Sequence, residues 1–458
     1  MPQHNSRSDT ARIAGLAWPI LIGQVAVIAN AVMDTMMVGR FSVTDLGALA
    51  IGASIYVSIF VGLNGVLQAL SPTVGQLYGA LRHAEIGAEV CQGVWLGLFL
   101  ALLGSLLLLF PQPLLTISQA SPELAAKATA YLRTLALALP ATLGFIVYAA
   151  LNHAMGKPKM VMALQVTGLA LKIPLNALFI FGGLGMPALG GPGCALATAI
   201  VAWLVLIAGW TILRVHPFYA AFRIFGRGFV APKWAAQKEL LKLGIPVGLN
   251  YFIEVTAFTF MALFIARLGE NAVAGHQIAG NLATLLYMIP LSIASATGTL
   301  TSHAIGAGDP RAARRIGAAG LRLAALVATA VGLLVWLGRA AVLRAYTPDE
   351  TIAATALPLL AFIGCYQFFD ALQVTASYIL RAHKVVFAPT VMYVLTLWCV
   401  GLFGGCVLGL DLFDVNPPPS ISGAAGFWFS NSVSLVILAA GMLWLLKHTH
   451  RKPLAAVA

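Results

Sequence analysis

Two stretches decide the fold when they are laid side by side: residues 16–42, LAWPILIGQVAVIANAVMDTMMVGRFS, and residues 243–269, LGIPVGLNYFIEVTAFTFMALFIARLG. Each is apolar over more than the about 20 residues that a helix needs to cross a bilayer. Each has a proline at its fourth position and an arginine near its end. Pro19 and Pro246 are 227 positions apart in a chain of 458, and the same offset pairs Arg40 with Arg267, Ile51 with Ile278, Gly79 with Gly306 and Lys157 with Lys384. One register held from Pro19 to Lys157, with each pair at the same place relative to the apolar runs, marks an internal duplication. Further on the register slips by six, where Gly190 and Gly193 pair with Gly423 and Gly426, and an insertion around DVNPPPS (414–420) accounts for the slip.

Outward from these stretches, charged and Gly/Pro-rich breaks divide the chain into twelve apolar segments, at about residues 11–38, 48–78, 90–111, 125–153, 160–183, 193–213, 240–266, 273–304, 317–338, 352–380, 386–409 and 422–446. The composition agrees, since 60% of the residues are hydrophobic and 9% charged, against about 25% charged in soluble domains. An ordinary soluble enzyme is excluded. The first ten residues are polar, and the span after them is too long for a signal-peptide core, so it stays as helix 1. The predicted fold is an all-α polytopic membrane protein of twelve transmembrane helices. They form two six-helix bundles, residues 1–213 and 242–458, joined by a cytoplasmic linker at 214–241. Six helices per half make the repeats parallel, related by a pseudo-two-fold axis along the membrane normal, a design used for alternating access.

The net charge of +12 would suggest nucleic acid in a soluble protein, but its distribution points elsewhere. With both termini cytoplasmic, twenty Lys and Arg residues fall on inside segments, among them Arg7, Arg227, Arg381 and Lys452. Six fall outside (Arg40, Lys127, Arg133, Arg267, Arg339, Arg344), and Lys172 alone is mid-helix. Cytoplasmic loops are enriched in Lys and Arg, so the excess records orientation, and the partner is the lipid bilayer rather than nucleic acid. A multi-pass protein of a bacterial cytoplasmic (inner) membrane, working as a monomer, is expected. The five cysteines are widely spaced in apolar runs and read as packing residues rather than as disulfides or a metal site.

Ionisable residues at the middle of a span cost at least ~2.5 to 3.5 kcal/mol each and are functional by default. Three acids are deep: Asp34 in helix 1, Glu254 in helix 7 and Asp370 in helix 10. Residues three or four apart share a helix face, so Tyr366, Asp370, Gln373 and Ser377, with Gln367 beside them, form a polar stripe. Glu254 has Asn250 one turn before it, and helix 8 offers Gln277, Asn281 and Thr284 at the same spacing, with His276 alongside. These surfaces are expected to converge on the interior of that half or on a cleft. Two carboxylates drawn together in a low dielectric do not both ionise comfortably, which makes Glu254 and Asp370 a site for a proton or for Na⁺. In the first half Asn30 lies one turn before Asp34, and helix 5 carries Gln165, Lys172 and Asn176 on one face. An ion pair between Lys172 and Asp34 would offset both burial costs and could act as a switch. His153, at the inner end of helix 4, reads as interfacial.

The motifs as a set resemble the multidrug and toxic compound extrusion (MATE) transporters, in their NorM-like branch. They are PILIGQ and VMDTMMVGR in helix 1, SPTVGQLYGA after helix 2, KIPLNALFIFGG and ALGGPGCALATAI in helices 5 and 6, LGIPVGLNYFIEVTAF in helix 7, AVAGHQIAGN in helix 8 and CYQFFDALQVTASYILRAHK in helix 10. The resemblance runs from about Gly15 to Leu446. It implies two bundles forming a V and expulsion of varied, mostly cationic and lipophilic, compounds against inward Na⁺ or H⁺. It also implies a cation site at Glu254 and Asp370 in the second half, an acid at Asp34 in the first, and Gln277 in contact with cargo. No cofactor is implied. Two positions depart from the pattern: Lys172 stands where Asn is expected before IPLN, and Asn152 and His153 stand where many relatives have an acid.

The alternatives are weaker. A flippase for a lipid-linked precursor of the same superfamily would handle an anionic cargo and call for several deep basic residues, where only Lys172 is available. The signature loop of major-facilitator carriers is missing from VGQLYGALRHAE. No HExxH, GxSxG or paired-aspartate metal motif supports a membrane-embedded enzyme, and no selectivity-filter sequence supports a channel.

Overall fold

The structure, a computed structural model, describes residues 8–117, 121–183, 185–224 and 230–451. Arg7, Arg227 and Lys452, counted above on the cytoplasmic side, lie outside the described residues. Among those described, twelve helices are long and apolar enough to span a bilayer. They are α1 (Asp9–Phe41), α2 (Val43–Gly79), α3 (His83–Leu109), α4 (Pro122–Ala154), α5 (Pro158–Phe181), α6 (Gly191–Val215), α7 (Trp234–Leu268), α8 (Glu270–Gly306), α9 (Pro310–Tyr346), α10 (Glu350–Ala382), α11 (Phe387–Gly409) and α12 (Gly423–Thr449). The twelve predicted segments each lie largely within one of them. The largest extension is at α9, whose flanking turns hold Arg311, Arg314, Arg315, Arg339 and Arg344, charges that hid the ends of the helix from a search for apolar residues.

Local chemistry sets many of the boundaries. Side chains of Ser42, Ser121, Asp309 and Asp349 accept hydrogen bonds from backbone amides in the first turns of α2, α4, α9 and α10, satisfying donors that a helix start leaves unpaired. Prolines stand at the start of α4, α5 and α9, where their missing N–H costs nothing. The outward faces carry many exposed large apolar side chains, Phe99, Leu102, Leu334 and Leu337 among them. In water such surfaces would drive association; in lipid they are at home.

The duplication is visible in hydrogen bonds. After α2, the amides of Ala80, Leu81 and Arg82 bond to Gln76, Tyr78 and Leu77, and after α8 those of Ala307, Gly308 and Asp309 bond to His303, Ile305 and Ala304. The turns match at an offset of 227, with Leu81 and Gly308 both at positive φ (59° and 72°). After α4 and α10 the matching turns are offset by 228: Gly156 and Lys384 take the left-handed position (69° and 58°), and their amides bond to His153 and Arg381. The sequence match of Lys157 with Lys384 is therefore one residue out. One extra residue between the two turns of the second half moved it, and the shared basic character of the turns concealed the shift.

By packing, the chain divides into two compact units, Ile22–Gly248 and Met1–Leu21 with Leu249–Ala458. The two breaks are again 227 apart, just after Pro19 and Pro246, and they fall inside α1 and α7 rather than in the linker. Ile13, Ala17 and Ile20 pack with Ile293, Leu300 and Ile316 of the second unit. The linker instead belongs to the first unit: Tyr219 and Phe222 are buried, and the Tyr219 hydroxyl donates to Asn152. Nearby, the Gln92 side chain bonds the backbone of Ala231 and Lys233.

Candidate functional site

In the unit Ile22–Gly248, the deep charges meet. Lys172 Nζ stands 2.6 Å from Asp34 Oδ2, and Asn176 Nδ2 donates to Asp34 Oδ1 at 2.8 Å. All three residues are buried. Pro174 lies inside α5 between them, and Lys172 and Asn176 are one turn apart on one face, so both reach the same carboxylate of α1. The Cys194 thiol and Tyr131 lie within electrostatic reach of it. Both carboxylate oxygens thus have cationic or amide donors, the condition under which a buried pair is tolerated. Asn30 turns back to the Ala26 carbonyl at 3.1 Å, and its side-chain oxygen meets no donor. Gln165 packs against Gly23 of α1, where a Cβ would collide with its amide oxygen.

In the other unit, α7 and α10 bring Glu254 and Asp370 within electrostatic range of each other. Asp370 is 3% exposed and accepts from Gln373 Nε2 at 2.9 Å, while the Tyr393 hydroxyl donates to Gln373 Oε1. Gln367, Gln373 and Ser377 are buried as the stripe predicts, and Tyr366 packs against Trp428 with ring centroids 5.6 Å apart. The hydroxyl of Thr375 and both polar atoms of Gln367 meet no partner, nor does the side-chain oxygen of buried Asn250. Asn250 and Gln367 lie one turn before Glu254 and Asp370 on the same helix faces, and unsatisfied oxygens there suit a proton, a small hard cation or water.

Of the two places open to the polar residues of α8, the interior takes only His276, which is buried against Phe258 and Trp428, while Gln277, Asn281 and Thr284 form an exposed face of the helix. The cause is the phase of α8, which turns its small residues Gly275, Ala279 and Ala283 inward. Lys172 is not the only buried basic residue. Arg381, assigned from sequence to a cytoplasmic segment, is 8% exposed. Its guanidinium donates to the Tyr251 hydroxyl at 3.1 Å, lies 5.1 and 4.6 Å from the Tyr251 and Tyr378 ring centroids, and interacts with Glu254. Stacking on two rings lets a guanidinium remain charged out of water.

A further polar face was missed altogether. Ser430, Asn431, Ser432 and Ser434 of α12 are buried, with Asn431 and Ser434 beside Gly401 in a stretch of α11, Val394–Leu402, that is wound as a π-helix. At Gly401 a Cβ would come within 3.0 Å of the Ser434 hydroxyl, so glycine permits the approach. The run SNSVS in an apolar segment was the available signal.

The MatE family model matches residues 19–178 and 246–407, two copies whose starts are 227 apart. The chain belongs to the MatE family. It is 39% identical over 449 residues to the probable multidrug resistance protein NorM of Aromatoleum aromaticum, covering 98% of this chain and 96% of that one. With the multidrug resistance protein PmpM of Pseudomonas aeruginosa it shares 36% over 423 residues, 92% and 88% of the two chains. These relatives put it in the NorM-like branch of the MATE proteins. Its fold matches the crystal structure of the eukaryotic MATE transporter AtDTX14, with a TM-score of 0.84 at 19% identity, covering 97% and 98% of the two chains. An outward-facing multidrug resistance MATE transporter matches at 0.86 over the same shares. For this MatE chain, the three mid-span acids sit in the matched copies, Asp34 in the first and Glu254 and Asp370 in the second.

Proposed function

We propose that the chain is a secondary antiporter that exports cationic and lipophilic drugs and other toxic organic compounds by alternating access, in exchange for inward Na⁺ or H⁺. The observation that carries this reading is the pair of acid sites within the spans, buried Asp34 with Lys172 and Asn176 in one unit and half-buried Glu254 with buried Asp370 in the other. Carboxylates out of water attract cations strongly, and a carboxylate that must alternately hold and release a cation links an ion gradient to a conformational cycle. In the second unit Glu254 and Asp370 take the coupling ion, with Tyr366, Gln367 and Gln373 around it. In the first, arrival of a cation or proton at Asp34 competes with Lys172 and opens the pair. Gln277 and Asn281, exposed on α8, serve cargo contact, with Asn250 and Asn30 at the edges of the two acid sites.

Hydrolysis or group transfer forms no part of this function, no cofactor is required, and the chain acts as a monomer with both termini in the cytoplasm. The names of its curated relatives, multidrug resistance proteins, support drugs as cargo. The test is uptake of a fluorescent organic cation into everted membrane vesicles. It should depend on the chain and on an imposed Na⁺ or H⁺ gradient, and collapsing that gradient with an ionophore should abolish it. Uptake that persists without any gradient contradicts antiport.

A further inference from the structure

At one end of the unit that holds Glu254 and Asp370, and far along the chain from both acids, α9 and α12 leave between them a cavity of about 630 Å³. Its rim is basic: Arg314 from the first turns of α9, and Lys447, His450 and Arg451 from the end of α12 and the residues after it. Its floor is apolar, with Leu321 of α9 and Leu443 and Leu446 of α12. Among the described residues no carboxylate lies within ion-pair distance of Arg314, Lys447 or Arg451, whereas the adjacent Arg315 is paired with Asp9 at 2.6 Å. The positive field reaches into the protein. Burial pushes the His383 imidazole down to about 4, with His450 and Arg314 adding to the effect, and His450 is lowered by burial and by Arg314. The rings of the two histidines are 5.4 Å apart.

A cationic rim above an apolar floor, at the ends of two spanning helices, is complementary to one kind of molecule. Inorganic phosphate would leave the leucines uncovered, and a zwitterionic lipid would set its ammonium against the arginines. We propose that this cavity binds an anionic phospholipid, its headgroup phosphate held by Arg314, Lys447 and Arg451 and the upper part of an acyl chain laid on Leu321, Leu443 and Leu446. Basic pockets between helices at the headgroup level are the usual means of such recognition. The site is independent of the transport reading above.

The test is native mass spectrometry of the full chain in detergent, equilibrated with equal amounts of phosphatidylglycerol and phosphatidylcholine. The parent should retain phosphatidylglycerol preferentially, and Arg314→Gln/Arg451→Gln should lose that preference by on the order of tenfold, since each basic group at a lipid surface contributes measurably. Arg314→Lys/Arg451→Lys should keep most of it. Neutralising two exposed basic residues elsewhere, Arg214→Gln/Lys238→Gln, should leave it unchanged. If the first variant fails to fold, Lys447→Gln/Arg451→Gln replaces it. The proposal is overturned if the parent shows no preference, if the Arg214/Lys238 variant loses it equally, or if millimolar inorganic phosphate displaces the lipid.

Discussion

Replacing Asp34 by Asn leaves Lys172 as an unpaired cation that is 6% exposed, and breaking a buried pair from one side costs about 3–5 kcal/mol. The double variant Asp34→Asn/Lys172→Met removes both charges and should be closer to the parent in stability than the single one. Thermal unfolding followed by tryptophan fluorescence checks the order; a double variant as unstable as Asp34→Asn would mean that the two side chains are not coupled. Gln277→Ala and Asn281→Ala, by contrast, alter an exposed face and should change stability by no more than ~0.5 kcal/mol, while weakening the apparent affinity for organic cations in a binding titration. Equal loss of stability would place those residues inside a packed interface. At this scale the sequence made the acids and Lys172 legible, because lipid tolerates so few charges that each one stands out. Arg381 stayed hidden because it is the last residue but one of its helix, where basic residues are common, and only the rings of Tyr251 and Tyr378 reveal that it turns inward. The serines and Asn431 of α12 gave a weaker signal, since a hydroxyl can satisfy itself on the carbonyl one turn back, as Ser432 does on Trp428.

At the level of elements, α7 approaches α2 through glycine. A Cβ on Gly244 would collide with the Val66 carbonyl oxygen, and one on Gly248 would stand 2.8 Å from that of Gly62. Spacing of four puts both glycines on one face, which allows the close backbone approach that holds helices together in lipid. Gly244→Val or Gly248→Val should therefore destabilise the unit by about 1–3 kcal/mol through overpacking. A detergent melt monitored by size exclusion will detect it, and a melt unchanged from the parent would remove this contact from the account. The helix count and the spans were readable from apolar length alone. The π-helical stretch of α11, Val394–Leu402, was not, because apolar length does not distinguish a π turn from an α turn. The one-residue change of repeat offset between α2/α8 and α4/α10 was equally invisible to a gapless alignment.

For the molecule as a whole, the duplicated plan accounts for the two unit breaks, the two family matches and the matching turns with one repeat. What the repeat did not convey is that the first stretches of α1 and α7 pack away from the halves they begin, since covalent order does not dictate packing partners. Orientation follows the basic residues: a green fluorescent protein fused after α12 should fluoresce, as it does when it folds in the cytoplasm, and an alkaline phosphatase fusion at the same place should be inactive. The reverse pattern would invert the proposed topology. The claim that the mid-span carboxylates couple ion entry to drug export is tested most directly by efflux from proteoliposomes, with Na⁺ and H⁺ gradients imposed separately on the parent, Glu254→Gln, Asp370→Asn and Asp34→Asn. The account predicts that one gradient drives the parent and that each substitution in the Glu254/Asp370 pair abolishes gradient-driven efflux while the organic cation still binds; full gradient-driven efflux in all three variants would contradict it.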